Sequence, residues 1–130
     1  VLAYNRDDHG KNTSYIMDRD GAWSLAPAYD LTFASGPGGH HTMAIHGETL
    51  RPSWRDMLAL AHPAGIDERA AVGILEQVRA ALHGWTAEAR THAVDEGIIA
   101  RQGERLNAVE QAAQLPSPAA ATPRRGRRKP

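Results

Sequence analysis

The sequence predicts a mainly α-helical domain in which a polar loop and a β-hairpin precede a small helical bundle. Residues 5–12 are densely polar, and two short apolar segments then flank a turn that ends in Gly21. From residue 53 onward, apolar side chains recur at steps of three and four, the spacing of one helix face. The 130 residues, 42% of them hydrophobic, are enough for one domain with a modest core.

The β-hairpin is predicted between residues 14 and 25. Segments 14–17 and 22–25 are the strands, and Asp18–Gly21 is the turn, because glycine adopts the positive φ that tight turns need. Pro27 ends the second strand, since proline lacks the N–H that a sheet ladder uses. A further short strand is predicted at Thr42–Ile45, after the Gly-rich loop.

Four helices are predicted in the second half. The first is capped by Ser53, with Asp56 three residues on, and ends near residue 63. The second opens at Asp67, the third is capped by Thr86, and the fourth covers residues 98–113. The side chains predicted to face inward are Trp54, Met57, Leu58, Ala61, Val72, Leu75, Val78, Leu82, Trp85, Ala89, Ala93, Ile99, Leu106 and Val109.

Composition divides the chain into a domain at residues 1–113 and a basic tail at residues 114–130. The tail is rich in proline, alanine and arginine without apolar periodicity, which predicts disorder. Its five cations leave a net charge of 10 − 15 = −5 on residues 1–115. The tail could bind nucleic acid weakly and without sequence specificity through phosphate contacts, or serve only as a solubilising end.

The same composition bounds the cellular setting. The chain has no cysteine, which excludes disulfides and thiolate metal sites and is typical of a reducing compartment. It contains no apolar run of about 18 residues and no signal-peptide pattern at its start, so a cytoplasmic protein without membrane contact is expected. The first residue is not Met, and the opening residues read as the interior of a motif, so a fragment is expected.

The candidate chemistry is concentrated in the polar loop. Asp7 and Asn12 are five residues apart, the spacing at which a kinase catalytic loop presents a carboxylate to the substrate hydroxyl and an amide oxygen to Mg²⁺. Alone this spacing is common, and both residues would ordinarily be solvated. In kinases a hairpin and a metal-binding aspartate follow the loop, and Asp30 follows the predicted hairpin here. The combined order favours metal-dependent phosphoryl transfer.

Two motifs resemble the C-terminal region of HipA-type serine/threonine kinases. They are Asp7–Asn12, in the pattern D-x-H-x-K-N, and Leu25–Asp30, in the pattern L-x-P-x-Y-D. Every fixed position of both patterns is present, and the resemblance covers roughly residues 1–113. It implies a fragment of a protein-kinase-like C-terminal lobe. The segment Tyr29–Leu31 stands where protein kinases have Asp-Phe-Gly, and the absence of the glycine is a departure from their pattern.

The resemblance also implies roles for individual residues. Asp7 would accept the proton of the substrate hydroxyl, while Asn12 and Asp30 would coordinate Mg²⁺. Lys11 is a candidate for neutralising phosphate charge and His9 for ordering the loop, and a purely structural role is equally expected for each. The implied enzyme transfers the γ-phosphoryl group of ATP to a serine or threonine hydroxyl of a protein substrate, with Mg²⁺ and ATP as cofactors.

Further partners follow from the resemblance. Members of the family act as toxins of toxin–antitoxin pairs, which predicts a small DNA-binding, HipB-like antitoxin. The sequence contains no Gly-rich phosphate loop and no strand lysine paired with a helix glutamate. In such kinases these parts belong to an N-terminal lobe, which is therefore an expected partner. The chain by itself is expected to be inactive.

Two other classes of function remain open. The chain could be a non-catalytic remnant that binds a partner or nucleic acid. It could also be a metal-dependent phosphoesterase with Asp7, Asp8 and His9 as ligands. A zinc site among His40, His41 and His46 would need a converging carboxylate, so polar loop filling or substrate contact near the mouth of the site is expected for them instead. Tyr29 is expected in the core.

Overall fold

The structure is a computed structural model that describes residues 1–113, with the elements in the predicted order. The strands are β1 (Tyr15–Met17) and β2 (Trp23–Leu25). The helices are α1 (Trp54–Ala61), α2 (Glu68–His83), α3 (Trp85–Thr91) and α4 (Glu96–Ala113). The predicted mainly α-helical fold with one hairpin is confirmed. The basic tail, predicted to be disordered, lies outside the described residues.

Strands β1 and β2 form the predicted antiparallel hairpin, with Tyr15 opposite Leu25. One carboxylate oxygen of Asp18 organises the turn by accepting hydrogen bonds from the backbone N–H groups of Asp20 and Ala22, each at 2.9 Å. Gly21 completes the turn at φ 82°, a left-handed conformation that glycine adopts without steric cost. The Asp-Gly turn was therefore a sound predictor of the hairpin.

Three extended segments meet beside the hairpin. The backbone N–H of Arg6 donates to the carbonyl oxygen of Ala34 at 3.0 Å, and the N–H of Ala34 donates to that of Tyr4 at 3.1 Å. The N–H of Thr42 then donates to the carbonyl oxygen of Arg6 at 2.9 Å. These bonds bring the polar loop after Arg6 close to residues 30–34 and 42.

The strand predicted at Thr42–Ile45 is wrong. Ile45 forms only an isolated antiparallel bridge with Glu48. His46 and Gly47 between them have φ values of 52° and 89°, so the chain reverses directly after Ile45. The pairing does not extend beyond this bridge, because the backbone N–H groups of Leu50 and Arg51 donate to the Glu48 carboxylate and not to a strand partner.

Side-chain caps begin the first two helices. Ser53 and Asp56 form a capping box before α1, in which the Asp56 N–H donates to Ser53 Oγ at 3.4 Å and the Ser53 N–H donates to Asp56 Oδ2 at 2.8 Å. Asp67 caps α2 by accepting from the Ala70 N–H at 3.0 Å. Both predicted starts are confirmed, because each side chain satisfies a backbone donor that the helix leaves unpaired.

The later helix starts differ from the predictions. Gly84 stands at the N-cap of α3, whose first residue is Trp85, so the Thr86 cap is wrong. Helix α4 begins at Glu96, two residues before the predicted start. Arg90 near the end of α3 donates to both carboxylate oxygens of Glu96, at 2.7 and 2.9 Å. This bidentate pair joins the end of α3 to the start of α4.

The helices pack in chain order, with α1 against α2, α2 against α3, and α3 against α4. Most of the predicted inward positions are at least half-buried, but Val78 is exposed and Ala93 lies beyond the end of α3 at φ 53°. These two core predictions are wrong.

No helix in residues 1–113 has the length and apolar character needed to cross a membrane. The buried hydrophobic residues are Leu2, Ile45, Ala61, Ala71, Ala89, Ile99 and Ala113.

Candidate functional site

The polar loop ends in a short 3-10 turn at Gly10–Asn12. The Asn12 N–H donates to the carbonyl oxygen of His9 at 2.9 Å, which closes the turn. The Tyr29 hydroxyl donates to the carbonyl oxygen of Lys11 and joins the turn to the segment after β2. Tyr29 is 43% exposed, so its predicted place in the core is wrong. Its hydroxyl instead links the second motif, which contains Tyr29, to the first motif, which contains Lys11.

Asn12 and Asp30, the two predicted metal ligands, are in direct contact. The Asn12 Nδ2 group donates to Asp30 Oδ2 at 3.0 Å, although 18 residues separate them. Both side chains have access to solvent. Asp30 has a φ of 54°, a left-handed conformation that aspartate tolerates better than most residues. The two motifs therefore meet at one point on the surface.

Asn5 connects the backbone on both sides of this point, a role that no sequence pattern indicates. The Asn5 side chain is buried, and its Nδ2 group donates to the carbonyl oxygen of Asp30 at 3.4 Å. Its Oδ1 atom accepts from the backbone N–H of Asp7 at 3.2 Å. One buried amide thus fixes the backbone of both aspartates, because a buried polar group without such bonds would be unfavourable.

Asp7 is exposed, and its carboxylate contacts Thr42. The Thr42 hydroxyl donates to Asp7 Oδ1 at 3.2 Å and also lies 3.1 Å from the carbonyl oxygen of Arg6. The sequence predicts a strand at Thr42–Ile45, and no motif marks Thr42 as part of the site. The contact depends on the backbone bond between residues 6 and 42, which links segments far apart in the chain.

Lys11 and His9 lie on the same turn but differ in exposure. Lys11 is exposed, so its ammonium group is accessible to a ligand near Asn12. His9 is half-buried, and within residues 1–113 its Nδ1 atom has no hydrogen-bond partner. The His9 backbone carbonyl, rather than Nδ1, closes the turn.

The Asn12–Asp30 pair fits two neighbouring positions around Mg²⁺. One carboxylate and one amide supply the oxygen donors that this ion prefers. A half-turn of the Asn12 amide exchanges its nitrogen for its oxygen. That rotation would turn the Asn12 oxygen towards the Asp30 carboxylate. The donor types and their position at one exposed point therefore suit the ion.

The other metal arrangements receive no support from the structure. Nowhere in residues 1–113 do three His, Cys, Asp or Glu side chains converge on a point where they could hold a metal ion. The phosphoesterase alternative requires Asp7, Asp8 and His9 to converge in this way. A zinc site at the loop histidines would require the same.

Comparison with protein families agrees with the two motifs. A family model described as HipA-like C-terminal domain matches residues 1–85, which is well over half of the chain. The chain therefore belongs to the HipA-like C-terminal domain family. The matched region contains the polar loop, the hairpin, α1 and α2, whereas α4 lies outside it. No curated protein and no solved structure matches the chain.

Proposed function

We propose that this chain is the C-terminal part of a serine/threonine protein kinase of the HipA type, with a protein-kinase-like lobe. The contact between Asn12 and Asp30 carries the proposal, because it brings an amide and a carboxylate from separate motifs to one exposed point. Asn5 holds the backbone of Asp7 and of Asp30 at the same time. Membership of the family adds independent support.

In the proposed reaction, a serine or threonine hydroxyl oxygen of a protein substrate bonds to the γ-phosphorus of ATP. The bond from that phosphorus to the ADP oxygen breaks, and Asp7 takes the hydroxyl proton. Asn12 and Asp30 hold Mg²⁺, which when bound supplies positive charge next to the phosphate oxygens. Lys11, exposed on the same turn, adds a mobile positive charge for the phosphates.

The exposed surface of the hairpin supports the proposal that a second lobe packs against this one. Large apolar side chains on both faces of β1 and β2 are exposed, among them Trp23 at 68% and Tyr15 at 64%. Contiguous exposed apolar surface of this kind marks an interaction site. The proposed occupant is an N-terminal kinase lobe that holds the adenine and most of the phosphate contacts. Without it, the chain binds Mg-ATP weakly and does not transfer phosphate.

The proposed setting follows from family membership alone. The complete kinase acts in the cytoplasm as the toxin of a toxin–antitoxin pair, and a small DNA-binding, HipB-like antitoxin holds it in check. A genetic test is direct, because expression of the two-lobe kinase should arrest growth and co-expression of the antitoxin should relieve the arrest. Growth arrest that persists in an Asp7→Asn variant would contradict a role for phosphoryl transfer in toxicity.

The activity is tested by joining the chain to an N-terminal lobe of a HipA-type kinase and substituting three aspartates one at a time. Asp7→Asn should keep ATP affinity within a few-fold and lower transfer of labelled phosphate by about 10² or more, because it removes the proton acceptor. Asp30→Asn should weaken Mg²⁺-dependent nucleotide binding as well, because an amide is a poorer ligand than a carboxylate. Asp8→Asn is the matched control and should behave as the unsubstituted kinase.

The Mg²⁺ dependence separates the two phenotypes. Excess Mg²⁺ should partly restore Asp30→Asn, whereas it should leave Asp7→Asn inactive. Full activity of Asp7→Asn, or its rescue by Mg²⁺, would show that Asp7 is not the base. Tight metal binding without nucleotide, lost in Asp8→Asn and kept in Asp30→Asn, would favour the phosphoesterase alternative.

A further inference from the structure

A cavity of about 540 Å³ lies between the N-terminal segment, residues 50–52 and α4. Among the described residues, three arginines line it, Arg6, Arg51 and Arg105, together with Tyr4 and apolar side chains such as Val109. We propose that this cavity binds a phosphate monoester dianion, with Arg51 and Arg105 as its ligands. The proposal concerns a second site and does not depend on the proposed kinase activity.

The charge around the cavity is opposite to that of the domain. Residues 1–115 have a net charge of −5, yet the part of the lining that comes from residues 1–113 contains three arginines and no aspartate or glutamate. Arg90, by contrast, is paired with Glu96 at 2.7 Å. Within residues 1–113, Arg51 and Arg105 form no ion pair. Two guanidinium groups without a carboxylate partner at one concave surface favour an anionic ligand.

Arg105 is held in a position suited to a planar, bidentate contact. The rings of Tyr4 and Phe33 stack at 4.6 Å with 12° between their planes, and the Arg105 guanidinium carbon lies 5.6 Å from each ring centre. A guanidinium group that contacts ring faces keeps N–H donors in its own plane for an oxyanion. The rings thus orient Arg105 without consuming the donors that a phosphate needs.

Arg6 and His41 bear on the electrostatic potential in the cavity and are not proposed to contact the phosphate directly. Arg6 already donates to the carbonyl oxygen of Gly39, and its guanidinium carbon lies 4.5 Å from the Tyr4 ring centre. Burial is the main cause that lowers the pKa of His41 to about 4, and the positive charge of Arg6 contributes to the same shift. The positive potential that disfavours a proton on His41 favours an anion in the cavity.

A phosphate monoester suits this lining better than a carboxylate. A phosphate dianion offers three terminal oxygens, which can engage two guanidinium groups at once. The volume of the cavity falls in the range of small-ligand sites, and Leu50 and Val109 provide apolar surface for the group that bears the phosphate. That group is either a phosphorylated serine or threonine side chain or a mononucleotide. The two sources share the phosphate chemistry and can be distinguished by titration.

The test is an NMR titration of the ¹⁵N-labelled 130-residue chain with three probes: capped phosphoserine, AMP and capped glutamate. Capped phosphoserine and AMP should shift the resonances of Leu50, Gln111 and Ala112, which line the cavity, and capped glutamate should not. Arg51→Gln and Arg105→Gln should each weaken binding about tenfold or more, because each removes a charge-assisted hydrogen bond. Tighter binding of capped phosphoserine than of AMP assigns the site to phosphorylated proteins, and the reverse assigns it to nucleotides.

Arg69→Gln is the matched control, since Arg69 is an exposed arginine on α2 that does not line the cavity. It should leave binding unchanged. Arg105→Gln also removes ring contacts, whereas Arg51 makes none, so Arg51→Gln tests the charge without disturbing the stacked rings. Shifts confined to residues 114–130, equal binding of capped glutamate, or unchanged binding by Arg51→Gln would each overturn the proposal.

Discussion

The Thr42 hydroxyl lies 3.2 Å from a carboxylate oxygen of Asp7, although the two residues are 35 positions apart. This bond orients the proposed base, and we expect Thr42→Val to lower kcat of the two-lobe kinase by roughly fivefold, the equivalent of one ordinary hydrogen bond. KM for ATP should stay unchanged, because Thr42 contacts neither Asn12 nor Asp30. Steady-state kinetics with the protein substrate would measure both constants.

Thr42→Ser is the control for this experiment, since serine keeps the hydroxyl and removes only a methyl group. It should retain most of the activity. Equal losses in Thr42→Ser and Thr42→Val would show that packing around residue 42, rather than its bond to Asp7, affects the rate.

The buried Asn5 side chain should contribute measurably to stability. Asn5→Ala removes the bonds to the Asp30 carbonyl oxygen and to the Asp7 N–H, so the free energy of unfolding should fall by about 1–3 kcal/mol. Urea denaturation of the full chain would measure the change. Asn107→Ala, at an exposed position of α4, should alter stability by less than about 0.5 kcal/mol. Comparable losses in the two variants would contradict the role assigned to Asn5.

His41 should make stability depend on pH. Its pKa is about 4 in the folded chain and near 6.5 when unfolded, so between these values the unfolded chain binds more protons. The free energy of unfolding should therefore fall as the pH decreases from 6.5 towards 4. Urea denaturation at pH 7 and pH 5 would measure the fall, which His41→Gln should reduce.

Two carboxylates also titrate in acid, and a substitution at another histidine serves as the control for His41. The pKa values of Glu48 and Asp56 are lowered, by backbone N–H groups and by Ser53 respectively, so both titrate mainly below the window of His41. His92→Gln replaces an exposed histidine that lies 3.1 Å from Glu88. It should leave the fall in stability unchanged, because His92 is exposed and outside the core. A reduction equal to that of His41→Gln would mean that burial of His41 is not the cause.

The capping box of α1 offers a local test of the fold. Ser53→Ala removes the acceptor for the Asp56 N–H and should lower the free energy of unfolding by about 1 kcal/mol. Ser35→Ala, at an exposed loop position, is the matched control and should be neutral. Thermal or urea denaturation would detect the difference, and equal stability of the two variants would indicate that α1 forms without its cap.

Local patterns predicted most of the fold, because they depend on neighbours in the chain. The Asp-Gly turn specified the hairpin, and Ser53 and Asp67 marked the starts of α1 and α2. The contact between Asn12 and Asp30 is consistent with the resemblance, which assigned both residues to one metal site. Their ligand roles remain predictions.

The contributions of Asn5 and Thr42 could not be predicted from the sequence. Each depends on backbone pairing between distant segments, 4–6 with 34 and 6 with 42, and no periodicity in the chain encodes that pairing. The predicted strand at Thr42–Ile45 failed for a related reason. Its composition suited a strand, but its backbone pairing is limited to the bond from the Thr42 N–H to the Arg6 carbonyl oxygen and to the single bridge between Ile45 and Glu48.

At Asp30, the backbone conformation and the proposed metal-binding role favour different residues. An L-residue at a φ of 54° is held in a conformation that costs roughly 1 kcal/mol and that glycine would adopt freely. Asp30→Gly should therefore relax the backbone while deleting the carboxylate that contacts Asn12. Selection for a more stable domain alone would favour that exchange, so a lineage that no longer used the site would be free to drift towards glycine here. Aspartate at position 30 in a related chain would therefore indicate that the site is still under selection, and glycine would indicate that it is not.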